Sequence, residues 1–279
     1  MAAGDKKYPR IFGMSYNSTR DELFLADYDN NVVRAMRVRD NAGDVRDVYR
    51  VPHDTSPRIR SVCHMSDSDT LLVCTGQYDP ERKNANWLLA LRRNGSEWRE
   101  AQRVQTGGGG VSCALSDSRV LIGEYNTRYS YMELFRVESG PRIARVHRIH
   151  VPESYEWFSA TCGSDTLVAM CYPHFSGIGG NSVRVNRLRR DRLEELARIQ
   201  LKWPGCPLWL ADRLFVADYD REKQSHDVIE LEVSDTRLER RRELIAASEH
   251  MFLSSWCAVN DGLAIFDERS KDILLYSLI

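Results

Sequence analysis

The stretch DELFLADYDNNVVRAMRV, residues 21–38, contains the unit from which the chain is built: an Asp, a short apolar run, a turn of Asp and Asn, and a second apolar run. The Asp-x-Leu step that opens it returns at Asp69/Leu71, Asp165/Leu167, Asp212/Leu214 and Asp261/Leu263, with a looser copy at Asp117/Val120. From Leu23 through Leu71, Val120, Leu167, Leu214 and Leu263 the steps are 48, 49, 47, 47 and 49 residues, a regularity that composition cannot produce. Six copies of that length, alternating like strands and punctuated by turn residues, match a blade of four antiparallel strands repeated around an axis. The expected fold is all-β, a six-bladed β-propeller of four-stranded blades forming a single domain over residues 1–279.

The first copy can be read strand by strand. Residues 11–16 give an inner strand, 23–26 a second, 32–38 a third and 45–51 an outer one, with a hairpin turn of Asp, Asn and Gly at 40–43. Pro9-Arg10-Ile11 and Pro57-Arg58-Ile59, 48 residues apart, mark the entries to the first two inner strands. Arg34, Arg37, Arg145 and Arg148 interleave with Val, Ile and Leu, as in strands with one wet face. The last copy offers three strands before the chain stops at Ile279, and the polar residues 1–8 are the segment available to close the ring. A weak closure or a three-stranded final blade is expected.

A net charge of -1 gives the whole chain no pull toward nucleic acid or acidic membranes. Its cations are lopsided, 33 Arg to 6 Lys, and Arg suits bidentate anion contacts and stacking on aromatic rings. Seven cysteines without a CxxC pair, four of them (Cys63, Cys113, Cys162, Cys257) at equivalent repeat positions, read as small core hydrophobes. With no apolar leader at the N-terminus and no uncharged membrane-length run, the expectation is a cytoplasmic monomer.

Residues 22–38 resemble the NHL-type blade, in which a Leu-aromatic-Val-Ala-Asp strand leads through Asn-Asn into a Val-Arg-Val strand, and also the YWTD blade of receptor ectodomains. RLFVADYDREKQSHDVIELEV at 213–233 repeats the pattern with a longer turn, and LAIFDERSKDILLYSL at 263–278 does so more loosely. Copies two to four lack the Ala-Asp step. The resemblance implies six-bladed NHL-like architecture and, because some NHL propellers bind single-stranded RNA, makes RNA the alternative partner.

No linear motif of catalysis emerges. GxSxG, HExxH and a phosphate loop are absent, and His147 and His150, three apart on one strand, point to opposite faces. Some six-bladed propellers are metal-dependent lactonases or lyases, but the inner strands here are dominated by Ser, Cys and apolar residues, with His64 the one candidate nitrogen ligand. No catalytic, metal or cofactor-binding residue is assigned. A non-enzymatic binding module is the leading expectation, and a lactonase-like enzyme ranks third.

The candidate site is the face bearing the second-to-third-strand turns, where an aromatic opens most turns: Tyr28, Tyr78, Tyr125, Tyr172, Tyr219 and Phe266. Arg128, Tyr129, Tyr131 and His174 extend the third and fourth turns, and Arg10, Arg58, Arg60 and Trp157 come from the entry segments. Tyr, Trp and Arg dominate binding hot spots because they bury large areas and still hydrogen bond. A protein or peptide partner is therefore expected there. Asp27, Asp29, Asp79, Glu81, Glu124, Asp218 and Asp220 on the same turns weaken the field an RNA would need.

Overall fold

The computed structural model describes residues 9–39, 45–52, 58–76, 86–107, 112–116, 118–124, 131–138, 142–151, 159–163, 166–172, 181–190, 192–210, 212–234, 237–245, 253–260 and 262–278. They form a six-bladed β-propeller with no helix among them. Blade 1 is β1 (Ile11–Asn17), β2 (Glu22–Asp27), β3 (Val32–Arg37) and β4 (Arg46–Arg50), and blade 2 is β5 (Arg58–Met65), β6 (Thr70–Gly76), β7 (Trp87–Asn94) and β8 (Glu97–Gln105). Blade 3 has β9 (Ser112–Ser116), β10 (Arg119–Glu124), β11 (Tyr131–Glu138) and β12 (Arg142–His150), and blade 4 has β13 (Ser159–Cys162), β14 (Leu167–Tyr172), β15 (Ser182–Leu188) and β16 (Leu193–Gln200). Blade 5 comprises β17 (Pro204–Leu210), β18 (Arg213–Asp220), β19 (Ser225–Val233) and β20 (Leu238–Ile245), and the three-stranded blade 6 comprises β21 (Leu253–Val259), β22 (Gly262–Asp267) and β23 (Asp272–Ser277). All pairings within blades are antiparallel, and the inner strands neighbour one another around the ring, with β21 returning to β1.

The repeat is explained by backbone geometry. Asp21, Asp69 and Asn260 hold φ of 54°, 42° and 51° at the first-to-second-strand turns. Asp and Asn tolerate this left-handed region better than other residues with a Cβ, which accounts for the Asp one residue before β2 and β6 and for the Asn two residues before β22. A second left-handed position ends the next turn, at Asn31, Gln224 and Lys271, with φ of 56°, 53° and 61°. Each of these turns is opened by an Asp whose carboxylate accepts backbone N–H groups inside it: Asp27 from Asn30, Asp220 from Glu222 and Lys223, Asp267 from Arg269 and Ser270.

Second strands are buried on both faces because each is sandwiched between blades, so β2, β6 and β22 are buried from end to end. Their apolar side chains fill the clefts between neighbouring blades, Phe24, Phe215 and Phe266 among the largest, joined by Phe135 from the third strand of blade 3. Leu23, Leu71, Val120, Leu214 and Leu263 are at most 1% exposed, whereas Leu167 is only half-buried and hands its core role to Val168 and Met170. Gly13 lets the inner strands of blades 1 and 2 meet: a Cβ there would sit 2.8 Å from the Ser61 Cα.

Blade 5 departs from its neighbours. Counted from the Asp-x-Leu leucine, the β2/β3 hairpin ends at the pair Asp27/Val32, while β18/β19 runs two pairs further, to Asp220/Ser225. At about 3.3 Å per residue its ladder runs about 7 Å further than those of blades 1 and 6.

The ring closes through an apolar cluster that joins blades 5, 6 and 1. The Tyr16 hydroxyl, 2.7 Å from Asp21 Oδ1 and 3.0 Å from Asn260 Oδ1, and an Arg10–Glu268 ion pair of 3.4 Å add polar ties between blades 1 and 6. No helix among the described residues is long and apolar enough to cross a membrane.

Candidate functional site

Four of the expected residues converge on the rim where blades 6, 1 and 2 meet. Arg10 and Arg58 are repeat equivalents, as are Phe12 and Arg60, so the entries to β1 and β5 lay these side chains next to one another beside the Tyr28 turn. The guanidinium carbons of Arg60, Arg58 and Arg10 lie 4.9, 5.7 and 5.9 Å from the centroid of the Tyr28 ring. Phe12 meets Tyr28 edge-on at 4.6 Å, and Arg60 lies 5.3 Å from the Phe12 ring as well. Cations within about 6 Å of an aromatic face are held by the ring quadrupole, which lets three like charges share one surface.

Backbone contacts fix the cluster. Tyr28 N donates to Arg10 O at 2.9 Å and Arg10 N to Asp29 Oδ2 at 3.0 Å, while Arg58 Nη1 donates to Asp29 O at 2.8 Å and Arg60 Nε to Gly76 O at 3.2 Å. Arg10 is paired with Glu268, whereas neither Arg58 nor Arg60 meets a carboxylate among the described residues. The result is a positive patch with an aromatic floor and acids at its border.

The other expected residues are not in this cluster. Tyr131 opens β11 in blade 3, its ring 5.4 Å from Arg148, and Tyr219 sits on β18 with its ring 5.0 Å from His226. Tyr172 ends β14, and its side chain lies outside the described residues. Tyr78, Tyr125, Arg128, Tyr129, Trp157 and His174 also lie outside them. The even spacing of the aromatics misleads at Phe266, which is fully buried in β22; the residue that follows Asp267 into the turn, as Tyr28 follows Asp27, is Glu268.

Blade 5 contributes a second group that the sequence reading missed. Arg221 lies 4.1 Å from the Trp203 ring, and Lys202 Nζ is 2.5 Å from Asp220 Oδ2. The Lys202 hydrogen bond, helped by backbone N–H groups, pulls the Asp220 carboxyl down to about 2. Asp218, two pairs below the turn, accepts from Trp203 N at 2.7 Å and Lys202 N at 3.3 Å, and burial raises its pKa. Lys202-Trp203 just before an inner strand was the available signal, at the place Arg10 holds in blade 1.

Below the rim a channel of about 440 Å³ runs between the inner strands. Phe12 stands on its wall, followed by Trp209, Trp256 and the thiols Cys63, Cys162 and Cys257. Cys63 and Cys257 are buried in the inter-blade core clusters and Cys162 packs against another, so these three serve as small core hydrophobes that also border the channel, while the Cys113 side chain lies outside the described residues. No disulfide links the six cysteines whose side chains are described. Burial pushes the Cys206 thiol up to about 11. His64 turns away from ligand duty: its side chain is 2% exposed, stacked at 5.7 Å on Phe24, with Nε2 3.1 Å from Asp69 Oδ1 and 3.2 Å from Asn17 Nδ2. Burial lowers its pKa. Among the described residues no group of three His, Cys, Asp or Glu is placed to hold a metal.

No family model matches the chain, and no curated protein does so. Solved structures do. The soluble aldose sugar dehydrogenase of Escherichia coli superposes with a TM-score of 0.64 at 10% identity, over 99% of this chain and 97% of that one. A chain of Kuenenia stuttgartiensis hydrazine synthase gives 0.66 at 10% identity over 98% and 97%, and a chain of the mitotic checkpoint complex gives 0.62 at 9% over 100% and 94%. At such identities the likeness is one of fold alone, and the NHL resemblance holds as far as the six-bladed architecture. The expectation of a non-enzyme needs correction, because the same fold serves a sugar dehydrogenase and a hydrazine synthase; missing linear motifs do not exclude catalysis when a site is assembled from several blades.

Proposed function

We propose that the face carrying the second-to-third-strand turns recognises a protein or peptide partner, with Arg10, Arg58, Arg60, Tyr28 and Phe12 at the centre of the contact. The observation that carries this reading is the convergence of three guanidinium groups on one tyrosine ring at the rim. Such a surface offers charge-assisted hydrogen bonds to acidic side chains and a flat aromatic area at small entropic cost. Asp29, Glu268, Asp220 and Glu222 break up the positive field, which favours a peptide of mixed charge over a nucleic-acid backbone. Neighbouring folds that work inside protein assemblies are consistent with this reading.

The test is a tiled peptide array probed with the wild type and with the double variant Arg58→Ala/Arg60→Ala. Binding confined to acidic-aromatic peptides, lost in the variant at an unchanged melting temperature, is the expected outcome. Indifference to the double substitution sinks the reading. Titration with single-stranded RNA at two salt concentrations covers the alternative, since saturable RNA binding whose affinity falls steeply with salt is what release of counterions from a phosphate backbone produces.

A further inference from the structure

We propose that the central channel is a binding site for a small organic anion with an apolar body, its carboxylate or phosphate held by Arg60 at the mouth and its body lying against Trp209 and Trp256. This goes beyond the macromolecular reading and does not depend on it.

Three observations meet here. The first is the wall: the described residues lining the channel include no Asp, Glu, Lys or Arg, only apolar groups, hydroxyls, thiols, His64 and Tyr16. A charged group inside would lose its water with no opposite charge to pair with among the described lining residues, which favours an apolar body for the part of a ligand that enters. The second is the mouth. Phe12 belongs both to the wall and to the rim cluster, and Arg60, whose guanidinium lies 5.3 Å from that ring, has one nitrogen on Gly76 O and no carboxylate partner among the described residues. Arg58, likewise without a carboxylate, stands behind it on Tyr28. A planar cation with unused donors at the lip of an apolar cavity selects an anionic head group.

The third observation is rigidity. The Trp256 indole donates to Cys206 O at 2.6 Å, and the Trp209 indole covers Gly163 so closely that a Cβ there would lie 2.4 Å from the ring. Cys206, with φ of 45° in a β17 bulge, presents that carbonyl to the indole. The aromatic walls are thus set before any ligand arrives, and 440 Å³ falls in the range of preformed small-molecule sites.

Four probes of equal chain length separate head from body: octanoate, octyl phosphate, 1-octanol and octylamine, titrated calorimetrically and by quenching of tryptophan fluorescence. One saturable site for an anion, at least about ten-fold tighter than for octanol or octylamine, is expected. The stronger of octanoate and octyl phosphate identifies the head group as carboxylate or phosphate. Arg60→Met should weaken the anions about ten-fold or more and leave octanol unchanged. Leu208→Trp, which fills the channel from the β17 side, should remove all binding while leaving peptide capture at the rim intact. Equal binding of octylamine, an unaltered anion affinity in Arg60→Met, anion binding that survives in folded Leu208→Trp, or no saturable binding of either anion overturns the proposal.

Discussion

His226 shows how much one buried side chain can report. Its Nδ1 accepts a hydrogen bond from Leu253 N at 3.1 Å, which ties blade 5 to blade 6 and requires that nitrogen to be bare. Burial pushes its pKa down to about 4, against the opposing pull of Asp227 and Asp267 and with the support of Arg269. An unfolded chain takes up the proton near 6.5 and the folded one near 4, so this contribution is complete above pH 6.5 and is lost as the pH falls between those values. The loss should reach roughly 2 to 3 kcal/mol by pH 4. Urea unfolding at pH 7.5 and 4.5 should show that drop in the wild type and a smaller one in His226→Asn, whose amide oxygen replaces Nδ1 without titrating; equal drops would remove His226 as the cause. At this scale the sequence was informative where a residue type has one job. Asp21 and Asp69 were legible because the left-handed turn wants them, and Arg10, Tyr28, Arg58 and Arg60 because repeat equivalence stacks them. Phe12 was passed over because Arg-Ile-Phe reads as plain core, and Trp203 because nothing in a linear pattern shows Arg221 folding back over it at 4.1 Å.

Between elements, the abundance of Arg finds its explanation in the outer strands. Glu133 on β11 and Glu230 on β19 have side chains 0% and 1% exposed, and each is answered from the fourth strand: Glu133 by Arg145 at 2.9 Å and Arg148 at 3.2 Å, Glu230 by Arg242 at 2.7 Å and Arg241 at 3.4 Å. The partners are not equal in burial, since Arg241 and Arg242 remain 58% and 53% exposed. Removing the glutamate leaves two solvated cations, whereas removing the arginines strands a buried carboxylate. Arg241→Ala/Arg242→Ala should therefore cost about 3 to 5 kcal/mol and Glu230→Leu less than about 1 kcal/mol, a difference read directly by chemical denaturation. Arg alternating with apolar residues announced a wet outer strand correctly, yet the buried acid opposite it was invisible. Likewise, the spacing of 47 residues from Tyr219 to Phe266 matched by count alone, because the longer β18/β19 hairpin shifts blade 5 against blade 6.

For the whole molecule, the repeat length determined the number of blades, and the three-stranded last sheet agrees with where the copies run out. The seam is held by inner-strand contacts and a few side-chain ties, while β23 carries Leu275 at 38% exposure. Hydrogen exchange followed by mass spectrometry should find the amides of β23 opening well before those of β19, which lies between two paired strands in blade 5; equal protection would mean that the seam is as strong as any other blade. Which of the candidate residues meet, by contrast, depends on how far each turn projects, and a period in the sequence carries no information about height. That height has its own consequence. A ring of identical blades looks the same after every sixth of a rotation, so anything settling on it could sit in six equivalent orientations. With the blade 5 hairpin about 7 Å longer than those of blades 1 and 6, and the arginine cluster fixed across blades 6, 1 and 2, the described rim breaks that symmetry, and a surface that has to meet both features is held to one angular setting.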